Sequence, residues 1–176
     1  MTARDDRLLA TGFLDDLTTR PIDDVRAMRA ECIEVETGLS YLRRMVQGPL
    51  DIINRELVRR EVGGHADRAA LIDELPGILA DSPRPPGVGR LPQQLEPTEV
   101  DPELAAELDA ILGGGVIGEV TTLDDRQLLE LRSRLEAFEQ RVSERRHAYF
   151  DRIDALQAEL TRRYRTGEAS VDGLLS

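Results

Sequence analysis

Apolar residues recur every three or four positions in two long stretches of the chain, near residues 23–62 and 124–165. Steps that alternate between three and four are typical of the heptad seam of a coiled coil, which is narrower than the apolar stripe of a globular helix. We therefore predict two long helices that pack through their seams. The seam positions are Val25, Met28, Cys32, Val35, Leu39, Leu42, Val46, Leu50, Ile53, Leu57 and Leu128, Leu131, Leu135, Phe138, Val142, Tyr149, Ile153, Leu156, Leu160, Tyr164.

The ends of the two helices follow from residues that start or stop helices. Pro21 suits the entry to the first helix. Pro49 lies inside it and predicts a kink, but the seam resumes on the same phase, so we expect no full break. We expect Thr121 or Thr122 to cap the second helix and Gly167 to end it.

The chain between the long helices has a different composition. Residues 82–102 hold six of the nine prolines and read as a linker. We predict short helices at 66–80 and at Glu103–Leu112, the second stopped by three glycines. The predicted fold is therefore all-α: two long antiparallel helices forming a coiled coil, with short helices and a Pro-rich linker between them. Its segments are an N-terminal tail (1–20), the first long helix (21–63), short helices and linker (64–120), the second long helix (121–166) and a C-terminal tail (167–176).

Composition narrows the classes of function. The 176 residues include 34 acidic side chains against 23 basic ones, all of them arginine, for a net charge of −11. This charge argues against direct DNA binding and against binding to anionic membranes, and no stretch approaches the length of a membrane span. Cys32 is the only cysteine and lies at an apolar helical position, so we expect a buried, inert thiol and a cytoplasmic protein.

The sequence offers little for catalysis. His147 has no second histidine or cysteine at metal-ligand spacing, and no glycine-rich loop follows a predicted strand. We expect no catalytic residues, no metal site and no enzyme.

An internal repeat links the two helices. Adding 103 to the positions of the first seam gives positions of the second, and polar identities recur at the same offset. Any two heptad seams align at some offset, so the evidence for a repeat comes from the polar residues that are identical at this offset. They are Glu36 with Glu139, Ser40 with Ser143, Arg43 with Arg146, Asp51 with Asp154, and Glu56, Arg59, Arg60 with Glu159, Arg162, Arg163.

Part of the repeated set forms a polar stripe beside the seam. Each member on the first helix directly follows a seam residue, which places it about 100° around the helix, and the second helix carries its equivalents at the same phase. The first stripe is Glu36, Ser40, Arg43, Gln47 and Asp51; the second is Glu139, Ser143, Arg146 and Asp154, with Phe150 where the first has Gln47. Packing the helices antiparallel through their seams brings both stripes to one side, whereas parallel packing separates them.

The chemistry of the combined surface suits an anionic, symmetric guanine nucleotide. Arginine offers a fork of donors for phosphate or for the O6 and N7 edge of guanine. Carboxylates accept from guanine N1 and N2. A single stripe of this kind is more often a solvated flank with ion pairs along the helix, and the repetition at the same phase is what favours a binding surface.

The pattern Glu-x3-Ser-x2-Arg-x3-Gln-x3-Asp resembles the signature of the RsiG family of actinobacterial anti-sigma factors. The second copy matches in four of five places and departs at Phe150. The resemblance implies an antiparallel helical pair that binds a dimer of cyclic-di-GMP through Glu36, Ser40, Arg43, Gln47, Asp51, Glu139, Ser143, Arg146 and Asp154, with Phe150 stacking or packing there instead. It also implies that the loaded protein sequesters a WhiG-like sigma factor that drives sporulation genes. Cyclic-di-GMP would then be a regulatory ligand and not a substrate.

The alternative is a structural coiled coil that binds a protein partner without nucleotide.

Overall fold

The computed structural model describes residues 3–61, 97 and 99–168. Its elements are α1 (Ala3–Leu8), α2 (Ile22–Glu61), α3 (Pro102–Leu112), a 3₁₀ helix (Gly113–Thr122) and α4 (Asp125–Thr166). The predicted short helix at 66–80, most of the 82–102 linker and residues 169–176 lie outside the described part. None of the helices within these ranges contains an apolar stretch that could span a lipid bilayer.

The two long helices pack against each other in antiparallel orientation, as predicted. Side chains early in α2 contact residues late in α4, and the order reverses along the pair: Arg26 bonds Tyr164, Arg43 bonds Glu139, and Arg60 bonds Asp125. The all-α fold is therefore confirmed, and α2 runs through Pro49 without a break.

For α4, the predicted C-terminal end is confirmed and the predicted N-terminal cap is wrong. Gly167 ends the helix in the left-handed region, with φ of 74°. The cap is Asp124 and not a threonine: its carboxylate accepts from the Gln127 amide at 2.8 Å, and the Gln127 side chain accepts from the Asp124 amide at 2.9 Å. Thr122 is not available as a cap because it belongs to the 3₁₀ helix, where its hydroxyl donates to the Glu119 carbonyl.

Most predicted seam residues form the core between α2 and α4. The seam departs from the prediction towards the C-terminal end of α2, where Leu57 is only partly buried while Glu56 is fully buried. In α4 the predicted seam residue Leu160 is buried, and Glu159 beside it is buried as well, at 8% exposure. Arginines hold both carboxylates, so each glutamate lies in the interface at a position that the apolar pattern passes over.

The helix pair has two different faces. The covered face carries α1 and the segment from Glu99 to α3. These segments bond to Glu31, Glu34 and Arg141, which lie on the opposite side of their helices from Glu36 and Glu139. Gly38 lies there, and a Cβ at this position would come within 2.7 Å of the Glu99 carbonyl oxygen. The motif face, defined by the two polar stripes, lies on the other flank of the two seams.

Residues 3–20, which belong to the predicted N-terminal tail, dock on the covered face. Leu8 is fully buried and Phe13 is 9% exposed. The Tyr149 hydroxyl donates to Asp5 at 2.6 Å, and Arg145 pairs with the same carboxylate at 2.5 Å. Arg152 binds the carbonyl oxygens of Leu8 and Leu9, which closes the end of α1. Backbone carbonyls and the buried Asp5 therefore anchor this segment, together with the ion pairs that Arg4 and Arg7 form with α2.

Candidate functional site

The centre of the motif face is a network of charged side chains that crosses the helix pair. Arg43 of α2 donates from Nε to Glu139 Oε1 at 2.8 Å and to Ser143 Oγ at 3.1 Å. In the reverse direction, Arg146 of α4 lies 3.6 Å from Glu36 Oε1. Each arginine thus reaches the glutamate of the opposite stripe, as an approximate two-fold axis requires.

Within each helix, the serine is tied to the glutamate one turn before it. Ser40 donates to Glu36 at 2.6 Å, and Ser143 donates to Glu139 at 2.8 Å. This i,i+4 spacing orients both carboxylates toward the opposite helix. The sequence predicted that these six side chains lie on one face, and the structure brings them into one connected cluster.

The two halves of the cluster differ at the position where the second stripe departs from the first. The Arg146 guanidinium lies 4.8 Å from the centre of the Phe150 ring, within the range of a cation–π contact. Its Nε is buried and has no hydrogen-bond partner in the described residues. The Phe150 ring therefore holds the Arg146 guanidinium, which stays 3.6 Å from Glu36. For this reason the contact between Arg146 and Glu36 is longer than the contact between Arg43 and Glu139.

The outer members of the stripes lie at the rim of the cluster. Gln47 and Asp51 are partly buried, whereas Asp154 is exposed. Burial raises the pKa of the Asp51 carboxyl above its ordinary value. These residues lie on the predicted face, where they extend the acceptor surface beyond the central arginines.

A second repeated set forms clamps at the two ends of the helix pair. Buried Glu56 accepts hydrogen bonds from Arg59 and Arg60. Arg60 also donates to the carbonyl oxygens of Val120 and Thr121, just before α4. The sequence shows this set as a repeat but not its role, because its backbone partners leave no pattern in the sequence.

The clamp at the other end of the helix pair makes the equivalent contacts. Glu159 accepts from Arg162 and Arg163, and Arg163 continues to the carbonyls of Leu17 and Arg20, just before α2. Each long helix thus uses its last turns to hold the entry of the other.

The side chains of the motif face range from Glu36, which is 8% exposed, to the exposed Asp154. A cleft on the covered face lies between Arg4, Glu34, Asp101 and Arg145, where ion pairs already occupy its polar groups. Among the described residues no cluster of three or more histidine, cysteine, aspartate or glutamate side chains could hold a metal ion. A ligand of the motif face would therefore be bound by hydrogen bonds and stacking on a helical platform.

Fold and site together define an all-α antiparallel coiled-coil protein with one polar, symmetric face. The chain belongs to the RsiG-like family, whose sequence model matches residues 11–79 and 117–176, one motif copy in each part. This is a family of anti-sigma factors, so a sigma factor is the expected kind of partner. The sequence matches none of the curated proteins with which it was compared.

Proposed function

We propose that this protein is an anti-sigma factor controlled by cyclic-di-GMP. Two nucleotides bind as a dimer on the motif face, and the loaded protein sequesters a WhiG-like sigma factor that drives sporulation genes. The observation that carries the proposal is the cross-helix network of Glu36, Ser40 and Arg43 with Glu139, Ser143 and Arg146, in which two copies of one motif meet as one surface.

The residues of the face match the groups that cyclic-di-GMP presents. Its guanines offer O6 and N7 acceptors to an arginine fork and N1 and N2 donors to a carboxylate. Its phosphates offer further acceptors to arginine and serine. A dimer of a two-fold symmetric nucleotide has the same symmetry as two equivalent antiparallel stripes, so both motif copies can make equivalent contacts.

The Arg43–Glu139 half of the unliganded network is weak enough for a ligand to replace it. The Arg43 and Glu139 side chains are 35% and 23% exposed, and ion pairs of this exposure contribute about 0–1 kcal/mol because solvent screens them. An arginine that turns from its glutamate to a guanine or phosphate therefore loses little, while the freed carboxylate gains guanine N–H donors. The network holds the side chains near their binding positions until the nucleotide arrives.

The acidic net charge of the chain supports the proposal that its protein partner is basic. A net charge of −11 complements the DNA-binding surfaces of a sigma factor, and such complementarity speeds association and orients the partner. The motif arginines place positive charge on one face of this acidic chain, where the anionic ligand binds.

Titration calorimetry with cyclic-di-GMP tests the nucleotide site. We expect the wild type to bind two nucleotides per chain, and Arg43→Ala or Arg146→Ala to weaken affinity by about 1–3 kcal/mol, the range for one good bidentate guanine contact. Arg44→Ala and Arg134→Ala are the matched controls, because these arginines are exposed and adjoin the same helical segments. Far-ultraviolet circular dichroism checks that helicity is unchanged.

The partner is tested by gel filtration of the protein with a WhiG-like sigma factor. A complex that forms with cyclic-di-GMP and fails without it supports the proposal. Equal affinity of Arg43→Ala and wild type for the nucleotide would contradict the shared face. A complex that forms equally well without nucleotide, from a protein that binds none, would favour the alternative of a purely structural coiled coil.

A further inference from the structure

Two arginines outside the signature also lie on the motif face. Arg29 precedes Glu36 by seven residues, and Arg132 precedes Glu139 by seven. Seven residues are nearly two full turns, so each arginine lies on the same side of its helix as the glutamate, about 10 Å along the axis. The two positions are also 103 apart, so this pair belongs to the internal repeat.

Both arginines have donors without partners. The Nε atoms of Arg29 and Arg132 are buried and donate no hydrogen bond within the described residues. Arg132 Nε lies 3.5 Å from Glu136 Oε1, which is longer than an N–H···O bond. Most buried donors in proteins are satisfied, so an unmet one needs an explanation. Arg146 of the signature shares this property.

Arg145 is a further arginine with a buried, unpartnered Nε, but its position is different. It lies on the covered face, where its other N–H groups pair with Asp5 and Asp101. The unmet donors of the motif face are therefore those of a signature arginine and of the two outer arginines.

The register of the helices places each outer arginine beside the last aspartate of the opposite stripe. Glu36 faces Arg146 and Glu139 faces Arg43. Seven residues back along α2 correspond to seven forward along α4, so Arg29 faces Ile153, next to Asp154. By the same count, Arg132 faces Leu50, next to Asp51. Each end of the motif face thus combines an arginine from one helix with an aspartate from the other.

We propose that Arg29 and Arg132 are nucleotide-binding residues that read the outermost guanines together with Asp154 and Asp51. The arginine fork binds the O6 and N7 edge, and the aspartate accepts from N1 and N2. This assignment rests on the proposed function and extends it: four arginines, alternating between the helices at intervals of about 10 Å, contact the ligand instead of two.

Calorimetry with cyclic-di-GMP on single and double variants of the full chain tests the assignment. We expect Arg29→Ala and Arg132→Ala each to weaken affinity about 5- to 100-fold, and Arg29→Lys to recover only part of it because lysine lacks the fork. Arg44→Ala and Arg134→Ala should remain within about two-fold of wild type. Thermal unfolding by circular dichroism verifies that every variant is folded.

Pairs of substitutions test which aspartate belongs to which arginine. Arg29→Ala combined with Asp154→Asn should lose less affinity than the product of the single effects, since both act on one guanine. Arg29→Ala combined with Asp51→Asn acts at opposite ends, so its effects should multiply to within about two-fold.

The outcomes separate this assignment from the proposed function. If the wild type binds cyclic-di-GMP and Arg43→Ala weakens it, unchanged affinity in both Arg29→Ala and Arg132→Ala overturns the outer pair alone. Unchanged nucleotide affinity with a weaker sigma-factor complex also overturns it and assigns these arginines to the partner. A wild type that binds no cyclic-di-GMP overturns both proposals.

Discussion

The buried hydrogen bond from Tyr149 to Asp5 should account for much of the attachment of the N-terminal segment. The Tyr149 side chain is fully buried, Asp5 is 2% exposed, and the two oxygens are 2.6 Å apart. Burial and the neighbouring carboxylate both raise the pKa of the Tyr149 hydroxyl, so it stays protonated as the donor. Tyr149→Phe keeps the ring in the core and removes only this hydroxyl.

The expected cost of Tyr149→Phe is about 1.5–3 kcal/mol, the range for a hydrogen bond to a charged acceptor. Arg145 remains to neutralise Asp5, so the loss should not exceed that range. In a domain of this length each kcal/mol lowers the melting temperature by about 2–4 °C. The measurements are urea unfolding at pH 7 and hydrogen exchange of the amides in residues 3–9, which should open faster in the variant.

Tyr164→Phe is the matched control. Its hydroxyl accepts from Arg26 at the partly buried margin of the helix pair, so we expect a loss below about 1 kcal/mol and no change in exchange at residues 3–9. Equal losses for the two variants, or a loss for Tyr149→Phe below about 0.5 kcal/mol, would refute the idea that the buried bond anchors the segment.

Three further predictions follow from other contacts. Gly38→Ala should lower the free energy of unfolding in urea. The new Cβ would meet a backbone carbonyl, that of Glu99, so we expect a cost in the upper part of the overpacking range, about 2–3 kcal/mol, against a helix-propensity gain of about 1 kcal/mol; a more stable variant would contradict this. Hydrogen bonds from Arg162 and Arg163 lower the pKa of Glu159 from 4.5 to about 2, so its stabilising effect is complete above pH 4.5 and is lost as the pH falls towards 2. The stability difference between wild type and Glu159→Gln should therefore shrink between pH 5 and pH 2, and a constant difference would argue against the charge. Burial raises the pKa of Cys32 to about 11, so the native thiol at pH 8 should resist a thiol reagent that labels the urea-unfolded chain at once.

The long helices and the motif face could be predicted because both depend on periodicity. Heptad spacing identifies α2 and α4, and the position of Glu36 and Arg43 directly after seam residues places the stripe on one flank. The offset of 103 then identifies Glu139 and Arg146 as their equivalents. These inferences need only helix geometry, which the sequence determines locally.

The contacts that depend on backbone groups could not be predicted in this way. Docking of residues 3–20 relies on Arg152 and Arg163 binding carbonyl oxygens, and every residue offers such an oxygen. The buried positions of Glu56 and Glu159 were missed because an apolar pattern passes over charged residues, although the repeated Glu-x2-Arg-Arg was visible. Asp124 displaced the threonine caps because a 3₁₀ helix extends to Thr122.

The clamps at the two ends restrict how this helix pair can transmit a signal. Arg60 holds the entry of α4 and Arg163 holds the entry of α2, so sliding one helix past the other by a single turn breaks both clamps and exposes two buried glutamates. A piston or ratchet movement therefore costs the hydrogen bonds of both clamps. Under the proposed function, a nucleotide at the middle of the motif face would then act without such a shift, through a change of surface shape and charge that the docked partner reads directly.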